Sequence, residues 1–101
     1  MAYIYITEYR EQAKDTMGHL LPAGLEPAIA NQRVGNAGAS TQSAALDAQT
    51  KFVMVHTDSI CSIKFGANPT AVVGEHRMGA GETRYYGVNI PALKIAAVLN
   101  T

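Results

Sequence analysis

Polar and apolar positions alternate along most of this chain, and the alternation predicts strands. In residues 2–9, "AYIYITEY", Tyr3, Tyr5, Thr7 and Tyr9 share one face and Ala2, Ile4, Ile6 and Glu8 the other. A period of two in β-branched and aromatic residues reads as a strand. The stretch "TKFVMVHT" is stronger still: Phe52, Met54 and His56 face one way, and Val53, Val55 and Thr57 the other. With apolar residues on both faces, this strand belongs inside a sandwich or under a neighbouring subunit. "ICSIKF" repeats the pattern, with Ile60, Ser62 and Lys64 opposite Cys61, Ile63 and Phe65.

Shorter candidates complete the set. They are an edge strand in "PAIANQRV" (27–34), then "QSAALD", "HRM", "TRYYGV" and "LKIAAVL". Between them lie breakers: Gly18, Pro22, Gly24 and Pro27 after the first strand, "GNAGAST" at 35–41, the Thr57-Asp58-Ser59 turn and "GANPT". The breaker-rich run after Tyr9 has room for one helical turn but not for a long helix. About seven or eight short strands at spacings of roughly 8–12 residues predict an all-β fold, a small antiparallel sandwich or barrel. All 101 residues fit one β domain, with residues 1–40 read as an N-terminal arm and its connection.

Composition narrows the partners. Apolar residues make up 48% of the chain and charged residues 16%, with eight basic side chains balancing eight acidic ones. A neutral, weakly charged surface lacks the basic excess that phosphates require, so nucleic acid is not an expected partner. The same neutrality eases self-association, and a homo-oligomer is expected. Residues 1–14 lack the features of a signal peptide, and no apolar run approaches the roughly 20 residues of a membrane helix. The chain is expected to be made in the cytoplasm without membrane insertion.

Candidate chemistry concentrates in "HTDSICSIKFGANPT" (56–70). Cys61 or Ser59 as nucleophile, His56 as base and Asp58 as orienter is conceivable if the flanking strands pair across the Asp58-Ser59 turn. Against it, strand periodicity puts Cys61 with Ile63 and Phe65, and a buried cysteine behaves as a small apolar residue. As the only cysteine it forms no intrachain disulfide. His19, His56 and His76, with Asp58 or Glu75, are too few and too poorly spaced for a zinc site. "GAGETR" (79–84) has no strand-to-helix context for phosphate and reads as a hairpin loop; "GAS" (38–40) has Gln42 where a nucleophile elbow needs its second glycine. No catalytic residue, cofactor or metal is expected. The candidate interface residues are Tyr3, Tyr5, Tyr9, Tyr85 and Tyr86, because tyrosine joins a large apolar ring to a polar tip and strand 2–9 has no basic residues for stacked bases.

The ordered string "QSAAL", "TKFVMVHTDSICSIKFGANPTA", "HRMGAGETRYYGV" and "LKIAAV", from Gln42 to Val98, resembles a family of small tailed-bacteriophage virion proteins of the capsid decoration or cement type. That resemblance implies a jelly-roll-like β-sandwich without enzymatic activity. It further implies repeated copies, often trimers, that bridge major capsid proteins at the capsid surface. A tail, fibre or neck subunit is the nearest alternative. A cupin-like metal-binding domain using His56 and His76, or a carbohydrate-binding module built on Tyr85 and Tyr86, are alternatives of other classes. Residues 2–9 suit an arm that adds to a neighbour's sheet.

Overall fold

A computed structural model describes residues 3–35, 40–88 and 90–100, without the side chain of Pro22. Ten strands are present among these residues: β1 (Tyr3–Tyr9), β2 (Gln12–Lys14), β3 (Leu20–Gly24), β4 (Ala30–Gly35), β5 (Thr41–Gln42), β6 (Phe52–Thr57), β7 (Cys61–Gly66), β8 (Arg77–Met78), β9 (Thr83–Gly87) and β10 (Lys94–Leu99). No described residue is helical, and no helix is long and apolar enough to cross a membrane. The all-β expectation holds.

The strands form two antiparallel four-stranded sheets, β4-β1-β6-β9 and β5-β10-β7-β8, and a separate β2-β3 hairpin. From β4 onward every connection except β7 to β8 passes from one four-stranded sheet to the other. This crossing back and forth is a jelly-roll arrangement, with the N-terminal β1 filling the place between β4 and β6. Its consequence for the turns is specific. Thr57-Asp58-Ser59 does not close a hairpin, because β6 and β7 lie in different sheets; it arches across the core. "GAGE" likewise carries the chain from β8 in the second sheet to β9 in the first, so it is an arch where a hairpin loop was expected. Gly81 supplies the positive φ that such a tight reversal needs.

Alternation decides what fills the space between the sheets. Ile4, Ile6, Val34, Val53 and Val55 point in from the first sheet, and Cys61, Ile63, Met78, Ile95 and Ala97 from the second; Leu46 and Val88 join them from connections. Each fully buried aliphatic side chain contributes about 1.5–3 kcal/mol by leaving water. Glu8 continues the inward face of β1, and its carboxylate is buried. Its Oε1 accepts the Asp47 amide at 2.7 Å and the Thr50 hydroxyl at 2.8 Å. One carboxylate thus pins the connection between the sheets.

The open sides of the sandwich are closed by polar contacts. On the β4 side, the Gln32 amide grips the backbone of Ala44, donating to its carbonyl and accepting from its N–H at 3.0 Å. On the β9 side, His76 Nε2 meets the Tyr86 hydroxyl at 2.7 Å, and Glu82 accepts from the Gly79 N–H at 2.9 Å and from Arg84 at 3.0 Å.

Three sequence expectations shift. The breaker-rich run after Tyr9 forms the β2-β3 hairpin, with no helical turn, and of the "QSAALD" candidate (42–47) only Gln42 is in a strand, joined with Thr41 in β5. Residues 3–9 lie inside the sheet, paired on both sides by strands of the same chain, and do not extend as an arm. The 27–34 candidate is β4, an edge strand as expected, beginning at Ala30.

Candidate functional site

The outer face of the first sheet gathers most of the ring-bearing side chains. Antiparallel register puts Arg33, Tyr5, His56 and Thr83 abreast across its four strands, and Asn31, Thr7, Met54 and Tyr85 in the next row. Cross-strand neighbours on one face of a sheet touch, and here they do. The Arg33 guanidinium sits 4.2 Å from the centre of the Tyr3 ring, a cation–π contact that fixes a long side chain. Tyr5 leans on His56 at 6.2 Å, and His56 Nδ1 meets the Thr83 hydroxyl at 2.7 Å. Phe52 stacks on Tyr85 at 5.6 Å. The rings are held in place, and Tyr5 and Tyr85 remain 38% and 41% exposed.

A shallow groove of about 380 Å³ runs between β1 and β4 on this side, lined by Tyr5, Thr7, Asn31 and Arg33 with Ile6 and Gln32. At the far end of β1 the face closes. Gly24 presses so tightly on the Tyr9 ring that no larger residue fits, and the Tyr9 hydroxyl donates to Glu26 at 3.0 Å. Burial, with the Glu26 carboxylate beside it, raises the Tyr9 pKa.

The five candidate tyrosines therefore divide. Tyr3, Tyr5 and Tyr85 share the open face. Tyr9 is only 4% exposed under the hairpin, so its ring serves the chain itself. Tyr86 points to the inner side of β9, where it packs on Phe65 at 5.0 Å and on His76 at 5.2 Å; burial raises its pKa. Missing from the candidates were Phe52, Met54, His56, Asn31 and Arg33. The alternation in β6 puts the first three on one face of their strand, but nothing in the sequence says that this face lies beside Tyr5.

The other chemistry disperses. Cys61 is buried in the core, its thiol 3.4 Å from the Thr57 hydroxyl, while His56 lies on the opposite side of β6 with Asp58 at 4.0 Å. His76 belongs to the β9 side, where burial first and Arg84 second lower its pKa, and His19 pairs with Asp15 in the hairpin at 3.2 Å. Backbone N–H groups, led by that of His19, hold the Asp15 carboxyl below its usual range. Among the described residues, no three His, Cys, Asp or Glu side chains gather as a metal site would require. Compared with known proteins, the chain matches no family model, no curated protein and no solved structure.

Proposed function

We propose that the protein is a non-enzymatic structural subunit of a bacteriophage virion, a capsid decoration subunit that docks through the outer face of its first sheet and bridges major capsid proteins. The observation that carries this reading is the ordered, open layer of Tyr3, Tyr5, Met54, His56 and Tyr85, backed by the buried Phe52 and with Arg33 already engaged on a ring. Exposed apolar and tyrosine-rich surface of this kind marks protein contact sites. Preset rings lose little conformational entropy on docking. Many such weak contacts repeated over one lattice act at high effective concentration.

The test is co-sedimentation of the purified protein with empty heads of the phage that encodes it, followed by heat release of DNA from filled heads with and without it. Binding that saturates, weakens at least about tenfold in a Tyr5→Ser/Tyr85→Ser double variant, and raises the release temperature is expected. A protein that stays in the supernatant, or heads whose release temperature is unchanged, would sink the reading.

A further inference from the structure

The side of the first sheet bounded by β9 holds a second surface, made of backbone. β9 is the last strand of its sheet, so one of its edges has no strand beside it. Which groups lie on that edge follows from the register. The Thr57 N–H donates to the Glu82 carbonyl at 3.1 Å, and the Val88 N–H to the Lys51 carbonyl at 2.8 Å. In an antiparallel pair the bonded positions alternate, so Arg84 and Tyr86 also turn their backbone groups toward β6. Thr83, Tyr85 and Gly87 turn theirs away.

We propose that this edge pairs with the same edge of a second copy, antiparallel and centred on Tyr85, to give a two-fold dimer with a continuous eight-stranded sheet. The geometry is self-complementary. With Tyr85 opposite Tyr85 of the second copy, Thr83 falls opposite Gly87, where an added Cβ would meet nothing and the threonine has room. Arg84 falls opposite the neutral Tyr86 of the second copy, so no like charges face each other; a parallel pairing would set Arg84 against Arg84. All three outward residues are used, and the two-fold operation closes the assembly.

Other edges are less open. β5 and β8 are two residues each, too short to template a partner, and the Gly35 end of β4 is already held by the Thr41 hydroxyl. β9 has neither protection. The strand carries no proline and no lysine; its one charge, the inward-pointing Arg84, is of a kind that deters edge pairing, but it is already paired with Glu82 of its own chain at 3.0 Å. The dimer would double the ring-bearing face, but it forms from this chain alone and does not depend on the capsid reading.

The experiment uses purified protein without capsids. Light scattering across a concentration series is expected to give twice the 10.7 kDa chain mass, falling to one chain on dilution. Amide exchange on the same samples reads the edge directly. In the dimer Thr83, Tyr85 and Gly87 are protected together with Arg84 and Tyr86; on dilution the first three lose protection and the other two keep it. A Tyr85→Pro variant removes the outward N–H, together with the ring that stacks on Phe52, while leaving the bonds of β9 to β6 in place, and is expected to be a folded monomer. A chain that is monomeric at every concentration overturns the proposal. So does a trimer, or a dimer in which those three amides exchange freely. Should the proline variant unfold, the exchange pattern of the unaltered protein decides between the dimer and its absence.

Discussion

The two sheets finish their outer faces in opposite ways. On the second sheet, Ser62, Ala96, Val98 and Asn100 are buried although they point away from the core, and Ala71, folded back from the segment after β7, packs on Ala96 and Val98. That cover is fastened: the Gln42 amide donates to Asn68 at 2.8 Å and to the Pro69 carbonyl at 2.7 Å, and the Ser40 hydroxyl accepts the Ala71 N–H at 2.9 Å. Ser62 in turn accepts from Asn100 at 3.0 Å. On the first sheet the hairpin covers only the Tyr9 end. Small residues line the face that the chain covers itself, and rings line the face that it leaves open. A face covered by the chain itself and a face left open thus carry different side chains on the same strand pattern.

The largest test of that contrast is a charge placed on each face. Val98→Lys buries an ammonium or strips off the cover, and is expected to cost about 3 kcal/mol or more. Met54→Lys, on the open face, is expected to stay within about 0.5 kcal/mol in the isolated protein. Urea unfolding reads both as midpoint shifts at constant slope. Equal costs would mean that the open face is packed after all.

A finer contrast lies within the first sheet. An added Cβ at Gly24 would lie 2.2 Å from Tyr9 ring carbons, whereas at Gly87 it would meet nothing. Gly24→Ala is expected to destabilise by about 1–3 kcal/mol through overpacking. Gly87→Ala is expected to stabilise by about 0.4–1 kcal/mol by restricting the unfolded chain. Opposite signs in thermal melts mark where the hairpin cover ends; a destabilising Gly87→Ala would place something against β9 that the register leaves out.

Smaller again is the fastening of the second sheet. Gln42→Ala removes both bonds to Asn68 and Pro69 and is expected to cost about 1 kcal/mol, since the site is partly wet. Its sharper signature is local: amides of 67–73 lose exchange protection while those of β7 and β10 keep theirs. Loss spread evenly over the sheet would show that the cover and the strands unfold together.

The strands themselves are legible in the sequence because period two is a local property. Val53 and Val55 against Met54 and His56 announce a face from six residues of sequence. Pairing is not local, and it is there that expectation and structure part. Asp58-Ser59 and Gly79–Gly81 have the composition of hairpin turns, yet each spans the core, because nothing in four residues tells whether the next strand returns to the same sheet. The β2-β3 hairpin is hidden by Gly18 and Pro22, breakers that also suit a loop. Asn31 and Arg33 join the candidate face only through β4 pairing with β1, and Tyr86 leaves it only because β9 turns that ring inward.

The weakest of these contrasts is electrostatic, between two histidines. His56 stands on the open face with Thr83, while His76 helps close the β9 side against Tyr86. His76 also holds a positive φ of 44°, a conformation that asparagine tolerates. Burial first, and the Arg84 charge second, lower its pKa from the ordinary 6.5. A histidine whose folded pKa is depressed binds its proton less readily folded than unfolded. Its contribution is therefore complete above about pH 6.5 and is lost as pH falls from there through the folded value. Unfolding midpoints measured between pH 7.5 and 5 are expected to decline, because a protonated ring cannot accept the Tyr86 hydroxyl and faces Arg84. His76→Asn keeps the backbone conformation and removes the titration, so its midpoints are expected to decline less over the same range. A slope that survives His76→Asn undiminished would move the acid-sensitive contact away from the closed β9 side of the sandwich.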